Sequence, residues 1–169
     1  MPEQTEMSPT ERLVALLDHL GIVTAHWGTP IPRDIAGLAV SHPARVAGVV
    51  LCVPSRLDPA PFAPIADRIL IITGERGPAA EATARAVPRL PGAERFVLAG
   101  YDAPGSWTDA VAERTEPIAD RMIGFLDRLA ADTPRPPAAE GVHAGISWQV
   151  RGKGPALILL PFFLAPSQW

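Results

Sequence analysis

The chain predicts an α/β fold, a mostly parallel open sheet with flanking helices. Residues 46–53 and 68–73 are nearly unbroken apolar runs of strand length, the pattern of strands covered on both faces. Segments with helical spacing of apolar residues alternate with such runs, as units of a parallel sheet require. The 20 prolines gather in the connections rather than in one low-complexity block.

Ser8-Pro9-Thr10-Glu11 is a capping box, with a hydroxyl at the N-cap, proline at the first helical position and a carboxylate two residues later. The helix that follows puts Leu13, Leu16, Leu17 and Leu20 on one face and ends at Gly21. Residues 22–26 form a short strand ending at His26. Beyond Trp27-Gly28-Thr29-Pro30-Ile31-Pro32, a second helix spans 33–41, with Ile35, Leu38 and Ala39 inward, until His42-Pro43 stops it. The strand 46–53 comes next. The strand 68–73 runs into the turn Gly74-Glu75-Arg76-Gly77-Pro78, and an alanine-rich helix spans 79–86. Pro91-Gly92 turns into a strand at 95–99, and residues 108–129 form the closing helix, broken or kinked at Pro117. Thr133-Pro134-Arg135-Pro136-Pro137-Ala138-Ala139 is a stiff, extended linker. Residues 145–151 and 156–160 then read as two strands joined into a hairpin by Gly152-Lys153-Gly154-Pro155. The chain accordingly divides into a domain at 8–130, a linker at 131–140 and a strand hairpin at 141–169.

Length and composition bound the function. With 169 residues, 47% hydrophobic and 20% charged, the chain can bury one real core. A net charge of −3 supplies no electrostatic footprint for nucleic acid or an anionic membrane. The single Cys52 excludes an intrachain disulfide and a cysteine-rich zinc site, and its apolar neighbours make it a buried, inert thiol. Met1-Pro2-Glu3-Gln4-Thr5-Glu6 has neither the basic nor the apolar region of a secretory signal, and no apolar run reaches the ~20 residues of a membrane helix. The expected location is the cytoplasm.

Taken in order, these pieces resemble the second half of an α/β-hydrolase. Leu16-Leu17-Asp18-His19-Leu20-Gly21-Ile22 resembles the approach to that family's nucleophile elbow, and Ser41-His42-Pro43-Ala44-Arg45-Val46 with Val49-Val50-Leu51 resembles its "HPERV…LVL" stretch. Ile71-Ile72-Thr73-Gly74-Glu75 resembles the strand end bearing the triad acid. Leu90-Pro91-Gly92-Ala93-Glu94 resembles the approach to the triad histidine, and Ile123-Gly124-Phe125-Leu126 the last helix. The tail is also similar to the family, but to its first strands, from Gly145-Ile146-Ser147-Trp148 through Leu157-Ile158-Leu159-Leu160. Late strands thus precede early ones. Either the chain is a fragment cut just after a second unit begins, or it is circularly permuted and the tail adds strands to the first sheet. The lack of a helix after the tail strands favours the fragment.

The resemblance implies acyl cleavage or transfer through a covalent ester, on a serine set in G-x-S-x-G, followed by an acid and a histidine. This chain departs from it at each position. Counting back from His42-Pro43 puts Thr29 at the nucleophile. Pro30 behind it has no N–H to donate to an oxyanion, and it forces extended dihedrals on Thr29. Trp27 and Ile31 stand where the flanking glycines belong. A one-residue deletion puts Pro30 itself at the serine. Gly77 stands at the acid position, with Glu75 the nearest carboxylate, and Tyr101 beside Asp102 stands at the histidine position. His26 is the one histidine near the expected site; His19, His42 and His143 fall on a polar helix flank, a helix end and the linker region. Leu159-Leu160-Pro161-Phe162-Phe163 takes the place of the family's "LLHGF", whose backbone lends the other oxyanion N–H, with Pro161 and Phe162 for histidine and glycine.

The candidate catalytic residues are therefore Thr29, Glu75 and His26, each in a weakened role, with no metal and no cofactor. The chain reads as a catalytically impaired or fragmentary acyl-hydrolase. The competing reading is a non-catalytic module that binds a small ligand in the remnant pocket, or a second copy or complementing chain through an exposed strand edge. Phe163, Leu164 and Trp169 add an apolar end to that edge. The substrate is not legible in the sequence.

Overall fold

The computed structural model describes residues 7–102 and 107–160. Helix α1 (Pro9–His19) starts as its capping box dictates: the Glu11 amide donates to the Ser8 hydroxyl at 3.3 Å, and the Glu11 carboxylate accepts from the Ser8 amide at 2.6 Å. The first strand, β1, is Ala25–Thr29 and not 22–26. The helix end explains the shift. Gly21 turns left-handed (φ +67°) and the Ile22 amide reaches back to the Leu17 carbonyl at 2.9 Å, so residues 21–22 still close α1.

Helix α2 (Arg33–Ser41) and strand β2 (Val46–Cys52) follow, then a kinked 3-10 segment (Ala60–Arg68) and strand β3 (Ile69–Gly74). Every residue of β1, β2 and β3 is buried, which explains why their sequences show apolar runs instead of alternation. Helix α3 (Pro78–Ala86) leads to strand β4 (Glu94–Leu98).

The closing helix is two helices, α4 (Trp107–Glu113) and α5 (Thr115–Leu126), and the break comes at Arg114 (φ −135°, ψ 36°) instead of Pro117. Placed inside one continuous helix, Pro117 would clash with the carbonyl four residues back. Starting a new helix at Thr115 moves it into the first turn, where an N–H has no helical partner anyway.

The hairpin expected from 145–151 and 156–160 does not form. Strand β5 (Glu140–His143) pairs antiparallel with β6 (Ile146–Gln149) across Ala144-Gly145, both at positive φ (+50° and +76°). Two such residues make a type I′ turn, whose twist matches the strands better than a four-residue Gly-Lys-Gly-Pro loop. Strand β7 (Leu157–Leu159) leaves that hairpin and joins the main sheet parallel to β1.

The main sheet therefore runs β4-β3-β2-β1-β7, with every pairing parallel. One core, from α1, α2 and the 3-10 segment, gathers Leu17, Ile35, Leu38 and Phe62 against Trp27, Val49, Leu51 and Ile71. The other, from α4 and α5, gathers Ala110, Ile118 and Phe125 against Val50, Leu70 and Ile72. A Cβ on Gly48 would lie 2.8 Å from a Leu129 methyl and 3.1 Å from His26 Nδ1, so the glycine is what lets the end of the α5 region settle on β2.

Asp132 ties the tail to this body. Its carboxylate accepts from the amides of Val23 (2.7 Å) and Thr24 (3.0 Å), its own amide donates to the Thr24 carbonyl, and its carbonyl accepts from Ala156 (2.7 Å). The segment assigned as a linker is thus fastened at its start, and the Arg135 amide also donates to the Leu20 carbonyl. Residues Pro161, Phe162, Phe163, Leu164 and Trp169 lie outside the described residues. Replacing Asp132 with alanine should cost about 1.5–3 kcal/mol, as for hydrogen bonds to a charged group, and lower the urea midpoint without changing the slope. An unchanged midpoint would remove Asp132 as the anchor.

Candidate functional site

In a parallel sheet all strands end on the same side, and ligands of open α/β folds bind outside those carboxyl ends, where the strand order reverses. Here the order reverses beside β1, since β2, β3 and β4 follow on one side and β7 lies on the other. The candidate site is therefore the corner after Thr29, flanked by the ends of β2 and β7 and, further off, by the loops after β3 and β4.

Thr29 is the last residue of β1 and is buried. Its hydroxyl closes a local turn over Pro30: Oγ1 accepts from the Ile31 amide at 3.0 Å and donates to the Ile31 carbonyl at 3.2 Å. A hydroxyl held this way points along its own backbone and presents no free face to a substrate. The corner is also unstrained at this position. Among the described residues, the non-glycine positions at positive φ are Val53 (+51°) and Ala144 (+50°). Strain at the carboxyl edge sits one strand away, at Val53, where a β-branched residue is held left-handed by its amide's bond to the Ile72 carbonyl at 2.9 Å.

His26 is the second residue of β1, not the last. Three residues from Thr29 means about 10 Å along the strand and the opposite face of the sheet. It is buried against Gly48 and Leu129, with Nδ1 lacking a hydrogen-bond partner. Desolvation by that burial pushes its pKa below the ordinary value, with the Leu129 backbone and the Asp127 carboxylate pulling the other way.

Glu75 belongs to the loop after β3, two strands from Thr29, which is about 10 Å at the usual strand spacing. Its carboxylate accepts from the Gly100 amide at 3.0 Å, while its amide donates to the Tyr101 carbonyl at 2.8 Å. The Arg76 amide donates to the Asp102 carbonyl at 2.7 Å, and the two side chains form an ion pair at 3.3 Å. The loops after β3 and β4 are thus latched together. Tyr101 lies under the Arg114 guanidinium, 5.3 Å from its ring centre. Desolvation, then Glu113 and Asp109, raise its phenol's pKa, which removes it as a base near neutral pH.

Thr29, Glu75 and His26 are therefore not brought together. The Cys52 thiol, buried at the end of β2, is pushed up to about 12 by desolvation and stays protonated. Among the described residues no group of three or more His, Cys, Asp or Glu side chains could hold a metal ion, and no helix is long and apolar enough to cross a membrane. A cleft of about 490 Å³ is lined by Leu57, Asp58, Pro59, Arg85, Ala86 and Arg89, none of them a candidate residue.

Val53 strain escaped the sequence reading, with no signal beyond a valine preceding Pro54. That the tail adds a strand to the main sheet is the permuted alternative of the sequence reading, and its place beside β1 had a signal. Two N–H groups that serve one oxyanion must converge to within about 3 Å of the same oxygen, so the strands carrying them must be neighbours. The Leu160 amide donates to the Gly28 carbonyl at 2.9 Å, setting the end of β7 beside the corner.

No protein-family model matches this chain, and no curated protein matches it. Among solved structures it matches the crystal structure of carboxylesterase CesB (YbfK) from Bacillus subtilis, at 14% identity and a TM-score of 0.55, over 75% of this chain and 69% of that one. The fold is α/β-hydrolase-like, and incomplete. That likeness carries the scaffold alone.

A His26 imidazole whose folded pKa lies below 6.5 leaves the folded state binding fewer protons than the unfolded state. Its contribution to stability is complete above 6.5 and is lost as pH falls through that value toward the folded pKa. Urea titrations at pH 7.5, 6.5 and 5.5 should show wild type losing more stability on acidification than His26→Leu. Equal losses in the two proteins would contradict the buried, neutral imidazole.

Proposed function

We propose that this chain is an α/β-hydrolase-like protein of esterase or acyl-hydrolase descent whose acyl chemistry is impaired. The observation that carries the reading is the corner after β1. Its hydroxyl is buried and bonded to its own turn, and Pro30, which follows it, has no amide hydrogen. The chain also has Pro161 and Phe162 where the family's other oxyanion stretch has histidine and glycine. The Leu160 amide is already committed to Gly28. The ancestral reaction would have needed a nucleophile, a base and two converging N–H groups, and the described residues assemble none of these sets.

The likeness to a carboxylesterase supports the descent, and the pairing of β7 with β1 supports a permuted arrangement, in which a tail resembling early strands serves the same sheet. A second reading, a binding module built on the remnant corner and the open sheet edge, is favoured by the exposure of Leu157 and Leu159 on β7.

A panel of p-nitrophenyl esters of two to eight carbons, with an active-site serine probe, tests the impairment. Turnover should stay at the solvent background, the probe should leave the protein unlabelled, and Thr29→Ala should change neither. Ester turnover well above background that Thr29→Ala abolishes would overturn the reading.

A further inference from the structure

We infer that the outer edge of β7 pairs, antiparallel, with the same edge of a second copy of this chain. The inference stands on edge geometry and not on the loss of acyl chemistry, so an ester assay leaves it untouched.

The two edges of the main sheet are unlike. The β4 edge carries Glu94 and Arg95, with Glu94 held by Arg121 and Arg128, and charges of this kind discourage strand addition. On the other side Ala156-Leu157-Ile158-Leu159-Leu160 has neither charge nor proline, and among the described residues no strand lies beyond it. Leu157 is 39% exposed and Leu159 64% exposed, both on the face opposite the one on which Ile158 packs against the core.

Backbone direction settles the register. The inner bonds of β7 use the Ala156 carbonyl, which accepts from His26, and the Leu160 amide, which donates to Gly28, both at 2.9 Å. Residues 156, 158 and 160 therefore turn their polar groups toward β1, and the alternate residues Leu157 and Leu159 turn theirs outward. An antiparallel pair centred on Ile158 sets Leu157 opposite Leu159 of the second copy, and Leu159 opposite its Leu157. Both are hydrogen-bonded pairs that exchange N–H and C=O, and they flank a non-bonded Ile158–Ile158 contact. Moving the centre one residue either way brings Pro155 or Pro161 opposite a leucine, and neither has an N–H to give. The centred register satisfies every outward group of Leu157 and Leu159. It also places the exposed leucines of the two copies on one face, across a two-fold axis normal to the sheet. The contact is short, so the association is weak and concentration-dependent.

Sedimentation velocity on the full chain, from about 10 μM to about 1 mM, a range suited to so small a contact, should show the 17.9 kDa mass rise toward its double. Leu159→Lys, which puts a charge on the edge, should stay monomeric throughout, while Val97→Lys on the β4 edge should still associate. Ile158→Cys should oxidise to a covalent dimer, because facing non-bonded positions lie about 4.5 Å apart between Cα atoms, within disulfide reach. Val142→Cys, exposed on the β5–β6 hairpin, should not. A monomer mass at the highest concentration, association that survives Leu159→Lys, association lost in Val97→Lys, or equal cross-linking at positions 142 and 158 would each overturn the inference.

Discussion

The corner after β1 follows from an imino acid at position 30. Proline removes an amide hydrogen and holds the preceding residue in extended dihedrals, so β1 runs straight to Thr29 instead of breaking into a tight elbow. The chain then needs something to close the turn into α2, and the Thr29 hydroxyl does so through Ile31. The residue that sequence position marks as a nucleophile thereby becomes a turn-closing group. Helix α2 starts at Arg33 with Pro32 at its N-cap and no side-chain cap, so the threonine turn and proline's fixed geometry together define the corner.

Strand β1 is the pivot of the topology. It pairs with β2 on one side and β7 on the other, and its residues serve both cores: Trp27 faces α1 and α2, while His26 lies against Gly48 and Leu129. Its two glycine contacts show how closely the layers approach. Gly48 admits His26 and Leu129, and Gly28 admits the Leu159 side chain, whose methyl would lie 2.8 Å from a Cβ there. The tail can join the sheet because Asp132 first holds the chain at Val23 and Thr24, then hands it on to Ala156 through its carbonyl. Between these points residues 133–155 leave the body and return, carrying the β5–β6 hairpin. That hairpin rests on α1, where the His143 and His19 rings stack at 4.1 Å.

The sequence showed most clearly whatever depends on local patterning. The capping box at Ser8–Glu11, the helix at Arg33–Ser41 and the apolar strands β2 and β3 are written in residues that act on their near neighbours. Local patterning gives way where a distant partner decides. Residues 22–24 look like a strand by composition, but their amides answer to Leu17 and Asp132. Gly152-Lys153-Gly154-Pro155 looks like a hairpin turn, but Ala144-Gly145 makes the tighter one, at an alanine whose positive φ no composition rule foretells. At the candidate site, the departures of Pro30, Gly77 and Tyr101 from the family's residue types are visible in the sequence alone, whereas the separation of His26 from Thr29 depended on a strand that ends three residues later than expected.

That scaffold and corner can part company is a matter of magnitudes. Fully burying a valine, leucine or isoleucine side chain is worth about 1.5–3 kcal/mol, and β2 and β3 bury a run of them on both faces. A strained elbow costs of the order of 1–3 kcal/mol at one residue. A chain that gives up the elbow keeps all of the burial and sheds that strain, so nothing in folding opposes the change. A nucleophile at position 29 would need its hydroxyl freed, an amide hydrogen at position 30 and a base on the Thr29 face of the sheet. The described non-glycine residues at positive φ are Val53, where the chain leaves β2, and Ala144, in the β5–β6 turn.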